Sequence, residues 1–348
     1  MTIQLTKLQL FLLMFVMQTG FVYISYQNVL ISHGARDSTI QFLIIAFVFF
    51  LQILFFERMH QYFILNRFTK TLYLIYWFFY IIVIVLYITY VLTSWVFPNT
   101  PNSVLISLFL FVCFYASVSR PETAINIGVV LLPMLVLFIL FMLRAIPNLH
   151  VTNLLPLFQE SKESWMMGLI YATYAFGGAE AFVMLRKYVV TSGRINNKVL
   201  AIYSTVLTCF YLFSILFTLM FFALDEIKLI PEPILYILHS QEVTFVKRLD
   251  LFFIYIWLSW SLVAIVNYVL MMRLVYFEKK SKAPKLQVFI LFAGIGIIST
   301  LIIRFSVLDF LKNYLVYLNI FFTFILPFLI IIVNKIRGRT ISESDTSA

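Results

Sequence analysis

Tyr-Ala-Thr-Tyr-Ala-Phe-Gly-Gly-Ala-Glu-Ala-Phe-Val-Met, residues 171–184, lies within an apolar run long enough to cross a membrane. Two glycines and Glu180 interrupt this run at its centre, where hydrocarbon tolerates an ionisable group poorly. A weaker interruption, Gln18-Thr19-Gly20, falls in the first apolar run of the chain. Gly20 and Gly178 are separated by nearly half the chain length. Paired interruptions in two halves of a membrane protein indicate a transporter-type binding site.

The composition assigns the chain to a broad class. Hydrophobic residues make up 63% of the 348 residues and charged residues only 11%, whereas about a quarter of the residues in a soluble domain are charged. Continuous apolar runs of about 20 residues select membrane helices over a β-barrel. We therefore expect an all-α integral membrane protein. The net charge of +10 comes from basic residues in short loops, so we expect no nucleic-acid partner.

The apolar runs predict ten transmembrane helices arranged as two inverted repeats of five. Five is an odd number, so the second half must enter the membrane from the opposite side to the first. We expect residues 1–150 to form the first repeat, 151–337 the second and 338–348 a cytoplasmic tail. Most of the 25 Lys and Arg residues then lie on the side that holds both termini, which predicts cytoplasmic termini. The predicted spans are about 8–31, 39–56, 72–97, 104–118, 123–143, 165–187, 199–224, 250–277, 286–303 and 314–334.

A helix that unwinds at mid-membrane can hold a zwitterion. Its free N–H groups and positive dipole end suit a carboxylate, and its free carbonyl groups suit an ammonium group. The alternative interpretation is that the small residues merely allow close helix packing. The candidate residues at the two interruptions are Thr19, Gly20, Ala175, Phe176, Gly177 and Gly178.

Glu180 admits more than one interpretation. As a structural cap, its carboxylate would accept from free N–H groups where the helix restarts. As a functional group, it would accept a proton or contact the ligand directly.

Other spans supply further candidates for the pocket. Tyr87 is the deepest of four tyrosines near one face of the third span and could form a pocket wall, although packing with a bonded hydroxyl is the usual role. Ser259 and Ser261 are polar residues near mid-depth in the eighth span, and each could instead bond to backbone. The outer loop at 225–249 is long enough for a lid. Its acidic residues, among them Glu232, are expected to be solvated.

Motifs of enzymes are missing from the sequence. All four histidines fall in loops or at span ends, and no HExxH, Gly-x-Ser-x-Gly or phosphate loop occurs. We therefore expect no enzyme, no metal site and no cofactor. The two cysteines fall in apolar spans and imply no disulfide framework.

Several motifs together resemble one family, the B subunits of bacterial spore germinant receptors, or spore-germination permeases. They are Leu8-Gln9-Leu10-Phe11 followed by Gln18-Thr19-Gly20, the stretch 174–180 with Gly-Gly-x-Glu, and Arg248-Leu249-Asp250 leading into Phe253-Ile254 and Ile256-Trp257. The likeness covers nearly the whole chain. The chain departs from the pattern at Arg186-Lys187, where a more apolar, proline-containing end is expected.

The resemblance implies a fold, a site and partners. The family belongs to the amino acid–polyamine–organocation superfamily, which implies the LeuT-like arrangement with helices 1 and 6 broken and the ligand between helices 1, 3, 6 and 8. Carried over by position, the pocket would use Gly20, Tyr87, Gly177 and Gly178, with Ser259 or Ser261. The resemblance also implies a small nutrient such as an amino acid as the germinant. The expected partners are a larger A-type membrane subunit and a C-type lipoprotein in the spore inner membrane.

Three functions follow as hypotheses. Ser259 and Ser261 are separated by Trp260, unlike the adjacent hydroxyls of a sodium site, and residues 123–143 contain no lysine for one known kind of proton coupling. These features favour a receptor subunit that senses a germinant and signals by conformational change. The alternatives are an amino-acid permease and a structural scaffold.

Overall fold

A computed structural model describes residues 4–119, 121–190, 193–241, 248–276, 285–305 and 307–340. In these ranges the regular elements are helices, apart from one isolated bridge between Leu5 and Val189. Residues 341–348 of the predicted tail lie outside the described residues. The α-helices are α1 (Lys7–Thr19), α2 (Tyr26–Gly34), α3 (Ser38–Met59), α4 (Arg67–Trp95), α5 (Asn102–Val118), α6 (Pro121–Val130), α7 (Leu132–Leu143), α8 (Lys162–Ala172), α9 (Glu180–Leu185), α10 (Asn197–Phe221), α11 (Leu224–Leu229), α12 (Pro233–His239), α13 (Leu249–Tyr276), α14 (Lys285–Ile302), α15 (Leu308–Asn319) and α16 (Leu326–Ile336).

The helices confirm an all-α membrane protein. Within the described ranges, eight helical segments are long and apolar enough to cross a membrane, and α1 and α5 are shorter apolar helices. The long segments are Tyr26–Tyr62, Arg67–Trp95, Asn126–Leu143, Lys162–Tyr188, Asn197–Phe221, Leu249–Tyr276, Lys285–Phe305 and Leu308–Ile336.

The first predicted span consists of two helices joined by a break. Thr6 begins α1 with a capping box, in which Thr6 and Gln9 each bond to the other's backbone N–H. The helix ends at Thr19, and the short 3-10 helix Val22–Ile24 separates it from α2. The break therefore falls at the predicted interruption.

The sixth predicted span is interrupted in the same way. The 3-10 helix Thr173–Phe176 follows α8, and α9 restarts at Glu180. Gly178 has a φ of 92°, a left-handed conformation that a residue with a Cβ atom adopts only at a cost. The glycine pair therefore allows the chain to turn between the two half-helices.

The last predicted span contains a π-helical stretch, Ile320–Ile325, between α15 and α16. Pro327 has no N–H group to donate to the carbonyl of Thr323, four residues earlier. The amide Nε2 of Gln52 donates to that carbonyl instead, at 2.6 Å. The proline therefore widens the helix locally and leaves carbonyl groups for other side chains. Pro133 has a similar position in the fifth span, since it lies at the start of α7 after a break at Leu131.

The ends of the two broken spans that are predicted to face the cytoplasm are tied to their neighbours. Leu5 N–H donates to the Tyr188 carbonyl at 2.8 Å, and Val190 N–H donates to the Leu5 carbonyl at 2.9 Å. Arg186 forms a buried two-point ion pair with Glu57 of α3, with N–O distances of 2.7 and 2.9 Å. The Arg186-Lys187 departure from the family pattern therefore has a structural role, because Arg186 fixes the end of α9 against α3.

Two short helices, α11 and α12, cover the end of the broken first span that is predicted to face outward, and we call them the outer lid. Asn28 of α2 donates to the carbonyls of Ile227 and Ile230 at 2.6 and 2.8 Å. At the other end of the lid, His239 lies 3.5 Å from the carboxylate of Asp250, which also accepts from Arg248. The lid is therefore fastened to both α2 and α13.

Candidate functional site

The two helix breaks meet in the centre of the protein. The side chain of Gln18 donates from Nε2 to the Phe176 carbonyl at 3.3 Å, which links the end of α1 to the break before α9. Its Oε1 accepts from the Tyr203 hydroxyl, and its backbone carbonyl accepts from the Tyr211 hydroxyl at 2.6 Å. Gln18 is fully buried. It therefore joins the two interruptions and α10 through hydrogen bonds that the sequence did not indicate.

Thr19 and Gly20 are held by α13. Trp260 Nε1 donates to the Thr19 hydroxyl at 2.8 Å, and the Ser261 hydroxyl donates to the Gly20 carbonyl at 2.7 Å. A Cβ atom on Gly20 would lie 2.7 Å from the Cβ atom of Ala264. Gly20 thus permits close packing on α13, and its carbonyl is a polar group of the break.

The two serines of the eighth span have different surroundings. Ser261 is buried and bonds to the break, whereas Ser259 is half-buried and donates to the Tyr255 carbonyl of its own helix at 2.9 Å. Residues two positions apart on a helix point in different directions. The structure therefore brings Ser261 to the candidate site and leaves Ser259 on another face of α13.

The glycine pair is packed against side chains from two other helices. A Cβ atom on Gly177 would lie 2.8 Å from Asn319 Oδ1, and one on Gly178 would lie 3.1 Å from the Tyr268 hydroxyl. Asn319 in turn donates to the Thr173 carbonyl at 3.2 Å. The last span and α13 therefore both approach the backbone of the break closely.

Glu180 is fully buried in the first turn of α9. One carboxylate oxygen accepts from Trp77 Nε1 of α4 at 3.0 Å, and the other accepts from the Thr323 hydroxyl at 2.9 Å. Thr323 is also 3.0 Å from Asn319 Oδ1, which accepts from the Tyr76 hydroxyl at 3.2 Å. Glu180 is therefore the acidic member of a polar network that joins the sixth span to α4 and the last span.

Asn319, Thr323 and Trp77 are residues of this site that sequence reasoning missed. Asn319 and Thr323 stand four residues apart in an otherwise apolar segment just before Pro327, so they share one helix face. That spacing beside a proline is the signal that could have identified them. Trp77 carries no comparable signal, because an apolar span contains many aromatic residues.

Tyr87 lies at the outer end of the site and touches the lid. Its hydroxyl donates to Glu232 Oε1 at 3.2 Å, and Lys312 Nζ lies 5.1 Å from the centre of its ring. Glu232 is only 2% exposed, so the expectation of a solvated acidic loop is wrong for this residue. The carboxylate is buried because the lid folds down onto α4.

Aromatic side chains fill the space around the breaks. Phe176 stacks on Phe42 and Phe49, with ring centres 5.6 and 4.5 Å apart, while Ala175 is fully buried beside it. Phe21, the residue after Gly20, is also buried. A ligand at the breaks would therefore have to displace side chains of the protein.

Comparison with known proteins gives one positive finding. Residues 4–304 match the model of a family described as spore germination protein. A search of curated proteins gives no match. The matched range includes both helix breaks and the whole of α13, whereas Asn319 and Thr323 lie beyond it.

Proposed function

The chain belongs to the spore germination protein family, and from this premise we propose that it is the germinant-sensing subunit of a spore germination receptor. It binds an amino acid or a similar small nutrient at the paired helix breaks and signals by a conformational change. The role is binding and not catalysis. The ligand lies between the broken first and sixth spans, α4 and α13.

The meeting of the two breaks is the observation that carries this proposal. The Phe176 and Gly20 carbonyls accept from Gln18 and Ser261, and both side chains could release them to a ligand ammonium group. Because the described side chains pack closely there, binding would require rearrangement. A ligand that binds the rearranged state more tightly shifts the population toward it, which is the behaviour of a sensor.

The proposal includes the arrangement of the whole chain. The eight long segments together with α1 and α5 are compatible with ten spans if α1 and α2 form one broken span. We propose that the spans form two inverted repeats with cytoplasmic termini, in the spore inner membrane. The expected partners are the A-type membrane subunit and the C-type lipoprotein of the receptor.

Uptake and binding measurements separate the sensor from the permease and the scaffold. Full-length protein in liposomes is given radiolabelled amino acids, singly, with and without an ion gradient. Saturable binding without accumulation is expected. Gradient-driven accumulation would identify a permease, and absence of saturable binding by the complex, with assembly still dependent on this chain, would favour a scaffold.

Gly178→Ala is the substitution that tests the position of the site. Both Gly178 and Gly338 have a positive φ, at 92° and 65°, so alanine costs each backbone about 1–2 kcal/mol. Nothing lies within 4 Å of a Cβ atom at Gly338, whereas one at Gly178 meets Tyr268 and Met17. We expect Gly178→Ala to abolish saturable binding and the germination response, and Gly338→Ala to preserve both. Equal dose responses in the two variants would contradict the site.

A further inference from the structure

The ring of Phe21 lies between three parts of the candidate site. It makes edge-on contacts with Tyr80 and Tyr87 of α4, at ring-centre distances of 5.9 and 5.8 Å. A third edge-on contact, at 6.2 Å, is with Tyr174 in the break of the sixth span. Phe21 itself follows Gly20 in the break of the first span and is 1% exposed. One side chain thus occupies the space that both breaks and α4 enclose.

The backbone next to Phe21 is fixed, but its side chain is held only by packing. Gly20 is bonded to Ser261 and packed on Ala264, so it has little freedom to move. A phenyl ring has no hydrogen bond to lose when it rotates about its side-chain torsions. Access to this space therefore needs a change of the Phe21 side chain and not a shift of α1.

Tyr174 supplies a second and independent observation. Its hydroxyl is buried and has no hydrogen-bond partner, although its ring touches Phe21. Most buried hydroxyl groups in proteins have a partner, and the polar head group of a ligand is a partner that the Tyr174 hydroxyl could take. The unpaired hydroxyl lies on a ring that lines the space Phe21 fills.

We propose that Phe21 occupies, in the ligand-free protein, the subsite for the ligand's side chain. This inference rests on the proposed function and narrows the ligand to an amino acid with an apolar side chain. Entry of the ligand turns the Phe21 ring away, and the Tyr174 hydroxyl then bonds to the polar head group. Phe21 therefore determines which side chains are accepted.

Replacement of Phe21 by alanine tests the subsite, with Phe56→Ala as the matched control. Phe56 is equally buried, but its ring contacts are with Phe55 and Phe328, at 6.4 and 5.5 Å. Binding of L-alanine, L-valine, L-leucine and L-phenylalanine to each full-length protein is measured by saturable binding and by thermal stabilisation. We expect Phe21→Ala to raise affinity for L-leucine and L-phenylalanine relative to L-alanine by about tenfold or more, since one methylene in an apolar pocket already contributes roughly 10–200-fold. Phe56→Ala should lower thermal stability and leave the order of affinities unchanged.

Tyr174→Phe provides a measurement that does not depend on the size of the subsite. Removing an unpaired buried hydroxyl should leave the thermal stability of the ligand-free protein unchanged or slightly higher. Affinity for all four amino acids should fall together, because the lost hydrogen bond is to their common head group. A purely structural role for Tyr174 would change ligand-free stability and not affinity.

Each outcome decides the inference. If the wild type binds and Phe21→Ala keeps the order of affinities seen with Phe56→Ala, the subsite is overturned and the proposed function stands. If Phe21→Ala binds amino acids and the wild type does not, the assignment of the subsite is supported. The proposal that the wild type senses amino acids is then contradicted. If neither protein binds any of the four, the subsite for an apolar side chain is overturned, whereas the proposed function, which also admits other small nutrients, is not.

Discussion

Among single residues, Glu180 is the one whose surroundings most restrict its chemistry. The sequence was compatible with three roles for Glu180: a helix cap, a proton acceptor and a ligand contact. In the structure its two oxygens accept from donors on α4 and on the last span, Trp77 and Thr323. The carboxylate thus serves as a shared acceptor between three spans, whatever further role it has.

Glu180→Leu should destabilise the protein. Leucine supplies no acceptor, so the Trp77 Nε1–H group is left buried and unpaired, while the Thr323 hydroxyl can still donate to Asn319 Oδ1. A buried unpaired polar group costs about 1–3 kcal/mol. The measurement is the midpoint of thermal unfolding in detergent, with Glu160→Leu at an exposed position as control. Equal midpoints for the two variants would contradict the role of shared acceptor.

Site residues were predictable to different extents. The helix breaks at Gly20 and Gly178 could be predicted because polar or charged residues interrupt the apolar runs beside these glycines, whereas α14 continues through Gly294 and Gly296 without such neighbours. Ser259 and Ser261 could not be told apart, since the helix rotation that decides between them depends on the packing of α13. From the sequence, Gln18 could be recognised only as part of an interruption. Its hydrogen bond to Phe176 joins residues that are too far apart in the sequence for a local pattern to predict the contact.

Among the elements, the outer lid carries an ionisable group, the Glu232 carboxyl, in a buried position that disfavours its charged form. Burial raises the pKa of the Glu232 carboxyl above its ordinary value, and Lys312 and the hydrogen bond from Tyr87 oppose this only in part. Trp95 and Asp309 also face the carboxyl, and Asp309 adds to the rise. A carboxyl whose pKa is raised in the closed state favours closure most when it is protonated. That contribution is complete at low pH and is lost as pH rises through the raised pKa.

The lid should therefore open more readily as pH rises above the ordinary glutamate pKa of about 4.3. Ser25 lies beside Tyr87 under the lid and is 1% exposed, so Ser25→Cys can report on opening. In a Cys209→Ser background, the rate of labelling by an impermeant thiol reagent, corrected for the thiolate fraction, should increase with pH. Adding Glu232→Gln should remove this pH dependence, and a dependence that survives would assign it to another group.

The helices show where prediction from sequence succeeds. The predicted third, fourth and eighth spans, about 72–97, 104–118 and 250–277, agree with α4, α5 and α13 to within a few residues, because apolar length fixes membrane helices. The π-helical stretch was not predicted. It depends on Pro327 and on Gln52, which satisfies the freed carbonyl from another helix. The burial of Glu232 likewise depends on how the loop folds back onto α4.

At the scale of the whole molecule, the predicted orientation of the helices in the membrane can be tested. Gly338 lies near the C-terminus and Asp225 in the outer lid, where its side chain is 97% exposed. Three predicted spans, the eighth to the tenth, separate the two positions, so they should face opposite sides of the membrane.

Cysteine at each position reports the side that it faces. In intact protoplasts with a Cys209→Ser background, an impermeant thiol reagent should label Asp225→Cys and not Gly338→Cys. Permeabilised cells should show labelling at both positions, which serves as the control. Labelling of both in intact cells would contradict cytoplasmic termini and an odd number of crossings between these residues.

The π-helical stretch at Ile320–Ile325 sets the angular relation between the two halves of the last span. A π-turn carries one more residue than an α-turn, and each residue of a helix turns the direction of its side chain by about 100°. Asn319 just before the stretch contacts Thr323 within it, and Thr323 donates to Glu180, while Asn334 after the stretch donates to the carbonyls of Tyr62 and Ile64. If the span were a continuous α-helix with one residue fewer, the pair Asn319 and Thr323 and the residue Asn334 could lie at the same depths in the membrane. The direction of the Asn334 side chain relative to that pair would then differ. The extra residue thus acts as a rotational spacer that lets one helix serve the buried carboxylate and the inner loop together.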